Sequence, residues 1–208
     1  MVYSLFTKDI SVLECMHASE TIFAMKQQER NIFSKFSNEE IRHCTRRIIE
    51  NILATDMAYH FKLTSNIKSK VDAYKIVNGK NIDRLIFPDN LTKTYENQQM
   101  ILDILVHCSD ISNPIKPYDI NKIWVDKVLE EFFNQGDVEL SEGLPISLLC
   151  DRKTTDRSKS QIGFINFVVK PVWDCLYMLC PEIYLCLDIM NNNLKKYEQL
   201  LAESQEKK

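Results

Sequence analysis

Three short segments combine residue types that could bind a metal ion or a planar ligand. In the first, residues 107–114 (His-Cys-Ser-Asp-Ile-Ser-Asn-Pro), His107 and Asp110 are three positions apart on one predicted helix face. A carboxylate at a helix end beside an imidazole can hold a divalent cation, because hard cations prefer oxygen and borderline cations also accept nitrogen. The alternative is structural: His107 and Asp110 are joined by hydrogen bonds, and Ser112-Asn113-Pro114 ends the helix.

The second segment, residues 159–165, contains Gln161 and Phe164 at a spacing that places them on one helix face, with Gly163 between them. An amide that donates and accepts, next to an aromatic ring, could hold a planar base by its edge and its face. The alternative is a packing glycine, a core phenylalanine and a surface glutamine.

The third segment contains a polar pair, Thr55 and Asp56, inside an apolar helical run. Buried polar groups need partners, so the pair could belong to a site. The alternative is a helix bend at which one of the two side chains caps the residues that follow.

The elements that must position these residues are predicted to be helices. The capping-box patterns at Ser11–Glu14 and Ser37–Glu40 each precede apolar residues at helical spacing, and glycine (4) and proline (6) are scarce. We expect an all-α fold, a compact multi-helix bundle of about seven or eight helices. The predicted helices cover roughly residues 11–25, 37–52, 57–75, 92–107 and 118–135 and the last third from 157, with loops at 76–90 and 143–156 and breaks at Pro171 and Pro181.

Composition excludes several classes of protein. A net charge of −3 gives no basic surface for sequence-independent binding of nucleic acid. The longest apolar stretches are short, so we expect no membrane segment. Seven cysteines without framework spacing and without a secretory signal predict reduced thiols and a cytoplasmic location.

Taken together and in order, these segments resemble the catalytic domain of class I 3′,5′-cyclic-nucleotide phosphodiesterases. The resemblance covers about residues 3–190 and starts with Ser11–Glu14 and His17. Its motifs are residues 53–57 (Leu-Ala-Thr-Asp-Met), 107–114, Trp124 with 130–137 (Glu-Glu-Phe-Phe-Asn-Gln-Gly-Asp), 146–151 (Ile-Ser-Leu-Leu-Cys-Asp) and 159–165 (Lys-Ser-Gln-Ile-Gly-Phe-Ile).

The resemblance implies hydrolysis of cAMP or cGMP to the 5′-monophosphate by a two-metal mechanism, with zinc plus magnesium or manganese as cofactors. It implies that Asp110 ligates metal and that Glu14, Thr55 and Asp56 orient metal-bound water. It implies a purine site with these side chains: Asn113 and Gln161 at the base edge, Phe164 opposed by Ile111 and Val128, and Trp124, Phe132, Leu149 and Met57 lining the same pocket. The expected partner is a cyclic purine nucleotide, with cAMP favoured over cGMP, and a homodimer is one assembly open to the chain.

The chain also departs from the family pattern. Cys15 and Met16 stand where the family has asparagine and histidine, and Asn121 stands where it has a tyrosine near the purine. The family's two upstream histidine motifs, which supply the general acid and several metal ligands, match none of the four histidines, His17, His43, His60 and His107. We therefore expect an N-terminally truncated domain over residues 1–203, the C-terminal two-thirds of the catalytic domain, followed by a disordered tail at 204–208.

Two functions follow from this pattern. The first is a phosphodiesterase whose upstream motifs are missing from these 208 residues. The second is a non-catalytic helical module, derived from the phosphodiesterase fold, that binds nucleotide or regulates a partner. Histidine motifs encoded upstream of Met1 would favour the first.

Overall fold

The computed structural model describes residues 7–78 and 93–206, and in these ranges it has helices and no β-strand. The prediction of an all-α fold is confirmed. The described residues contain eight α-helical segments, two of which run on through a π turn as one helix. In chain order they are α1 Val12–Lys26, α2 Asn38–Leu53, α3 His60–Asn78, α4 Tyr95–Asp110, α5 Tyr118–Ser141, α6 Arg157–Phe164, α7 Lys170–Leu179 and α8 Tyr184–Glu206.

Short 3₁₀ helices stand at Gln28–Arg30, Met57–Tyr59, Asn113–Ile115 and Pro181–Ile183. The chain divides into two compact units, Met1–Asp110 and Ile111–Lys208. The candidate site residues are divided between the two units, with Glu14, Thr55, Asp56, Met57 and Asp110 in the first and the others in the second.

In the first unit, α1 and α4 pack against α2, and α3 contacts α4. A buried arginine joins α2 to α4: Arg47 donates to Gln99 Oε1 at 3.0 Å and to Gln98 Oε1 at 2.7 Å, and its guanidinium lies 3.7 Å from the Tyr95 ring centroid. The hydrogen bonds compensate the burial of the charge. The apolar core is formed by Ala18, Ile67, Val71, Met100, Ile101, Ile104 and Cys108.

In the second unit, α8 packs against α6, α7 and the 3₁₀ helix Asn113–Ile115, which also contacts α5. The core is formed mainly by Val125, Leu129, Phe133, Ile165, Val169, Val172, Leu176, Leu179 and Met190. This packing fixes α6, which carries Gln161 and Phe164.

Several predicted boundaries need correction. Residues 76–78 of the predicted loop belong to α3, and residues 79–92 lie outside the described residues. Gly136 does not end α5, which continues to Ser141. Helix α8 extends to Glu206, so residues 204–206 of the predicted tail are helical, and 207–208 lie outside the described residues.

Pro171 does not break the last third of the chain. Proline cannot donate the backbone hydrogen bond of a regular α-helix and its ring clashes with the carbonyl four residues earlier. The helix accommodates it with the π turn Ile165–Val169, in which the backbone N–H of Lys170 bonds to the oxygen of Ile165. The predicted break at Pro181 is confirmed by the end of α7 at Leu179.

Because helix Arg157–Leu179 is continuous for 23 residues, its length and apolarity would allow it to cross a membrane. The expectation of no membrane segment stays a prediction. A core helix has the same properties, and Val172, Trp173, Leu176 and Leu179 on its inner face are buried. We assign it to the core of the second unit.

Candidate functional site

The residues expected to orient metal-bound water lie on α1 and at the bend after α2. Glu14 is half-buried on α1. Thr55 donates to the backbone oxygen of Ile52 at 2.8 Å. Asp56 caps the 3₁₀ helix Met57–Tyr59, accepting from Ala58 N at 2.8 Å, and its second oxygen accepts from Ser11 Oγ at 2.6 Å. The structural alternative for this pair is therefore present, because both side chains have local partners.

The bond between Ser11 and Asp56 changes the start of α1. Ser11 has a left-handed backbone (φ 47°) and its side chain does not cap α1, so the predicted capping box at Ser11–Glu14 was wrong. Instead, Ser11 ties the beginning of α1 to the bend that carries Thr55 and Asp56.

His107 pairs with another histidine and not with Asp110. Nε2 of His107 lies 2.8 Å from Nδ1 of His60, and both side chains are fully buried. Burial lowers the pKa of His107, while Asp110 and the backbone of Ala54 act in the opposite direction. The pair is a buried hydrogen bond between α3 and α4 in the core of the first unit.

Asp110 is the last residue of α4 and is exposed. Over residues 7–78 and 93–206, no group of three or more histidine, cysteine, aspartate or glutamate side chains is arranged to hold a metal ion. A divalent ion needs several such ligands, so the described residues do not by themselves fit the two metals that the resemblance implies.

In the second unit, two of the expected purine-site residues line one cavity of about 690 Å³. Leu149 comes from the loop between α5 and α6, and Phe164 comes from α6, with Gly163 beside it. A Cβ on Gly163 would meet no atom within 4 Å, so the glycine leaves this wall of the cavity open. The other polar groups at the rim include Asp156, Lys159 and Ser160.

The loop that carries Leu149 is fastened to α5. At Gly136 the backbone of the loop packs directly against α5, because a Cβ there would lie 2.1 Å from the backbone oxygen of Cys150. Glu139 accepts from the N–H and the hydroxyl of Ser147, both at 2.7 Å, and these bonds lower the pKa of Glu139. Leu149 itself has a left-handed backbone (φ 67°), a conformation that costs free energy unless neighbours hold it.

Arg152, in the same loop, forms a second set of hydrogen bonds to α5, which we call the clasp. Arg152 donates to both oxygens of Glu130 at 2.9 and 3.0 Å, to Asn134 Oδ1 at 3.1 Å and to Asp137 Oδ2 at 3.0 Å. The clasp holds the second half of the loop against α5.

The other residues expected in the purine site differ in how far their side chains are buried. Gln161 is buried on α6, and no hydrogen bond fixes its amide in the described part of the chain. Trp124, Val128 and Phe132 are spaced four residues apart on one face of α5, the first two exposed and Phe132 half-buried. Met57, in the first unit, is exposed. The assignment of all of these residues to one purine site stays a prediction.

Asn113 and Ile111 are half-buried and lie just after Asp110 in the sequence. The side chain of Asn113 donates to the backbone oxygen of Asn121 at 3.3 Å, and that of Asn121 donates to the backbone oxygen of Asn113 at 3.2 Å. The Oδ1 atom of Asn113 is buried and has no hydrogen-bond partner among the described residues. It is an acceptor that a ligand could satisfy.

Sequence reasoning missed several residues of this arrangement. Two polar residues on α8 were missed because their partners are over 75 positions away in sequence: Asn193 bonds to the turn after Asn113, and Tyr197 bonds to Asn121 on α5. Asp103, which lines a second cavity of about 960 Å³ in the first unit, was missed because a lone acid in an apolar helix carries no motif.

Comparison with known proteins assigns the family. Residues 2–190 match the 3′5′-cyclic nucleotide phosphodiesterase family. The mouse 3′,5′-cyclic-AMP phosphodiesterase 4C is 33% identical over 196 residues, which are 94% of this chain and 27% of that protein.

Solved structures share the fold. The phosphodiesterase domain of the RhoPDE fusion protein from the choanoflagellate Salpingoeca rosetta is 29% identical with a TM-score of 0.84, over 99% of this chain and 61% of that one. LmjPDEB1 in complex with IBMX is 26% identical with a TM-score of 0.83, over 97% and 56%. The chain thus spans about a quarter of the curated relative and little more than half of the solved chains. By its match over residues 2–190, the chain belongs to the 3′5′-cyclic nucleotide phosphodiesterase family.

Proposed function

We propose that this chain forms the purine-binding part of a phosphodiesterase that hydrolyses a 3′,5′-cyclic purine nucleotide to the 5′-monophosphate. The observation that carries the proposal is the cavity between Leu149 and Phe164, opened by Gly163, in a chain whose family match covers residues 2–190. An apolar cleft with a few polar groups is the usual form of a small-ligand site.

In this proposal the residues of the second unit divide the work of binding. Phe164 stacks on one face of the base, and Ile111 and Val128 close the other face. Gln161 and Asn113 hydrogen-bond to the base edge. Because no bond fixes the Gln161 amide in the described residues, its donor and acceptor ends can exchange, so cAMP and cGMP are both substrates in this proposal, with cAMP favoured.

Binding of the two divalent metal ions would require ligands in addition to Asp110. Two divalent ions, zinc with magnesium or manganese, would supply an activated water and neutralise the phosphate. Asp110 would be one ligand, and the described residues contain no group of three or more side chains that could supply the others. We further propose that the enzyme is cytoplasmic.

The second candidate function is a non-catalytic nucleotide-binding or regulatory module. The described residues favour it in one respect, because they contain no group of three or more potential metal ligands. The two functions share the purine site and differ in the metal site.

The shared part is tested by calorimetry with 5′-AMP, the product nucleotide, and the purified chain. We expect binding that weakens about tenfold in Gln161→Ala, the cost of one or two hydrogen bonds. Gln199→Ala, an exposed glutamine on α8, is the matched control and should bind like the wild type. A chain that binds neither AMP nor cyclic AMP would contradict the phosphodiesterase and the nucleotide-binding module.

A further inference from the structure

The turn that carries Asn113 is held by α8, the last helix of the chain. Asn193 donates from Nδ2 to the backbone oxygens of Pro114 and Lys116, both at 2.8 Å. Its side chain is buried, as are those of Asn121 and Tyr197. Buried polar groups need such partners, so this set specifies one arrangement of the turn.

Tyr197 completes the arrangement. Its hydroxyl donates to Asn121 Oδ1 at 2.6 Å, and its ring lies 5.8 Å from that of Tyr118. With Oδ1 held by Tyr197, the Nδ2 of Asn121 is aimed at the backbone oxygen of Asn113. Burial raises the pKa of the Tyr197 phenol, with Tyr118 and Asp126 adding to the effect, so the hydroxyl keeps the proton that it donates.

These hydrogen bonds, which run from Tyr197 through Asn121, fix the orientation of the Asn113 amide. Its Nδ2 is used by the backbone oxygen of Asn121, so its Oδ1 is left as the buried acceptor without a partner. A buried acceptor in one fixed orientation selects for a ligand donor, because an unmade bond costs about 1–3 kcal/mol. The exocyclic amino group of a purine is a donor of this kind.

We propose that Tyr197 and Asn193 are positioning residues of the purine site, which act through Asn121 and the Asn113 turn to present Asn113 Oδ1 to a purine amino group. Both lie beyond residue 190, where the family match ends. The end of α8 is thus a working part of the site. The ligand chemistry rests on the proposed function; the positioning rests on the hydrogen bonds alone.

The test uses Tyr197→Phe, which removes one hydroxyl and keeps the ring against Tyr118. Tyr184→Phe is the matched control, because Tyr184 is on the same helix and is exposed. The first readout is the ¹H–¹⁵N spectrum of side-chain amides, recorded well below the unfolding temperature of each variant. We expect the Asn113 resonance to shift in Tyr197→Phe and to stay unchanged in Tyr184→Phe.

The second readout compares the affinity for 5′-AMP with that for purine riboside 5′-monophosphate, which lacks the amino group. We expect the wild type to prefer AMP about tenfold and Tyr197→Phe to lose most of this preference. A variant that is merely less stable would keep the ratio, because both ligands would weaken equally.

Asn193→Ser provides a second route to the same result if Tyr197→Phe does not fold. An unchanged Asn113 resonance and an unchanged affinity ratio in the folded variants would overturn the positioning role. If the wild type binds neither nucleotide, the proposed function fails, while the Asn113 resonance still decides the positioning role.

Discussion

Two glycines in segments that resemble family motifs have opposite surroundings. Gly136 lies inside α5 under the backbone of Cys150, and Gly163 lies inside α6 beside an open cavity. In a helix interior, alanine is favoured over glycine by up to about 1 kcal/mol, so the surroundings decide the sign of each substitution.

We predict that Gly136→Ala destabilises the chain by about 1–3 kcal/mol, because the new Cβ would overlap the Cys150 carbonyl and displace the loop. Gly163→Ala is the matched control and should be neutral or stabilising by up to about 1 kcal/mol. Urea unfolding measures both. Equal effects of the two substitutions would show that the loop does not rest on Gly136.

Asp103 makes the stability of the chain depend on pH. Burial raises the pKa of Asp103 from 3.8 to about 6, while Gln99, which donates to it at 2.7 Å, acts in the opposite direction. Between these two pH values the folded chain binds more protons than the unfolded chain. The free energy of unfolding should therefore fall as pH rises from about 4 to about 6.

We predict that Asp103→Asn removes this slope and stabilises the chain at pH 7 by about 1 kcal/mol, a value discounted for partial solvent screening. Unfolding in urea at pH 4, 5, 6 and 7 measures it. Asp72→Asn, at an exposed carboxylate on α3, should keep the wild-type slope. A slope that persists in Asp103→Asn would assign the pH dependence to another group.

Single residues could be predicted from sequence where their partners are close in the chain. Ser37 and Glu40 form both bonds of the predicted capping box, at 2.8 and 3.3 Å. Ser11 and Glu14 carry the same pattern, yet Ser11 bonds to Asp56, 45 residues away. A local pattern does not reveal a competing partner of that kind.

At the scale of elements, helix α6 depends on its N-cap. Asp156 accepts from the backbone N–H of Lys159 at 2.8 Å, which satisfies one of the donors left free at a helix start. Because α6 has eight residues and carries Gln161 and Phe164, its first turn matters for the cavity.

We predict that Asp156→Ala costs about 1 kcal/mol and raises the hydrogen-exchange rates of the first amides of α6. Asp188→Ala, at an exposed position on α8, is the control and should change neither. Unchanged exchange in α6 would mean that packing against α8 alone holds the helix start.

Helix existence followed from apolar spacing, but helix ends depended on tertiary contacts. Gly136 stays helical because it packs under Cys150, and Pro171 stays helical because of the π turn before it. Long-range contacts also hold the turn after Asn113, to which Asn193 bonds without belonging to any motif.

At the scale of the whole molecule, the metal ligands limit activity. We predict that these 208 residues alone do not hydrolyse a cyclic nucleotide at an enzymic rate, because Asp110 is the one ligand matched by resemblance and a single carboxylate binds divalent ions weakly. The measurement is cAMP and cGMP turnover with zinc and magnesium or manganese added. Metal-dependent turnover that is lost in Asp110→Ala would show that further ligands are present in the chain.

The π turn Ile165–Val169 gives the long helix a place where its residue count can change. Each residue added to or removed from a regular α-helix rotates everything beyond it by about 100°, which would turn Trp173 and Leu176 away from the core. A π turn holds one residue more than an α turn and keeps the segments on both sides in phase. Loss of one residue there, for example the exposed Phe167, would restore the regular α-helical ladder and leave both apolar faces pointing inward, provided that Pro171 were also replaced. The core helix of the second unit can thus lose one residue at the π turn, together with Pro171, and keep both of its apolar faces on the same side.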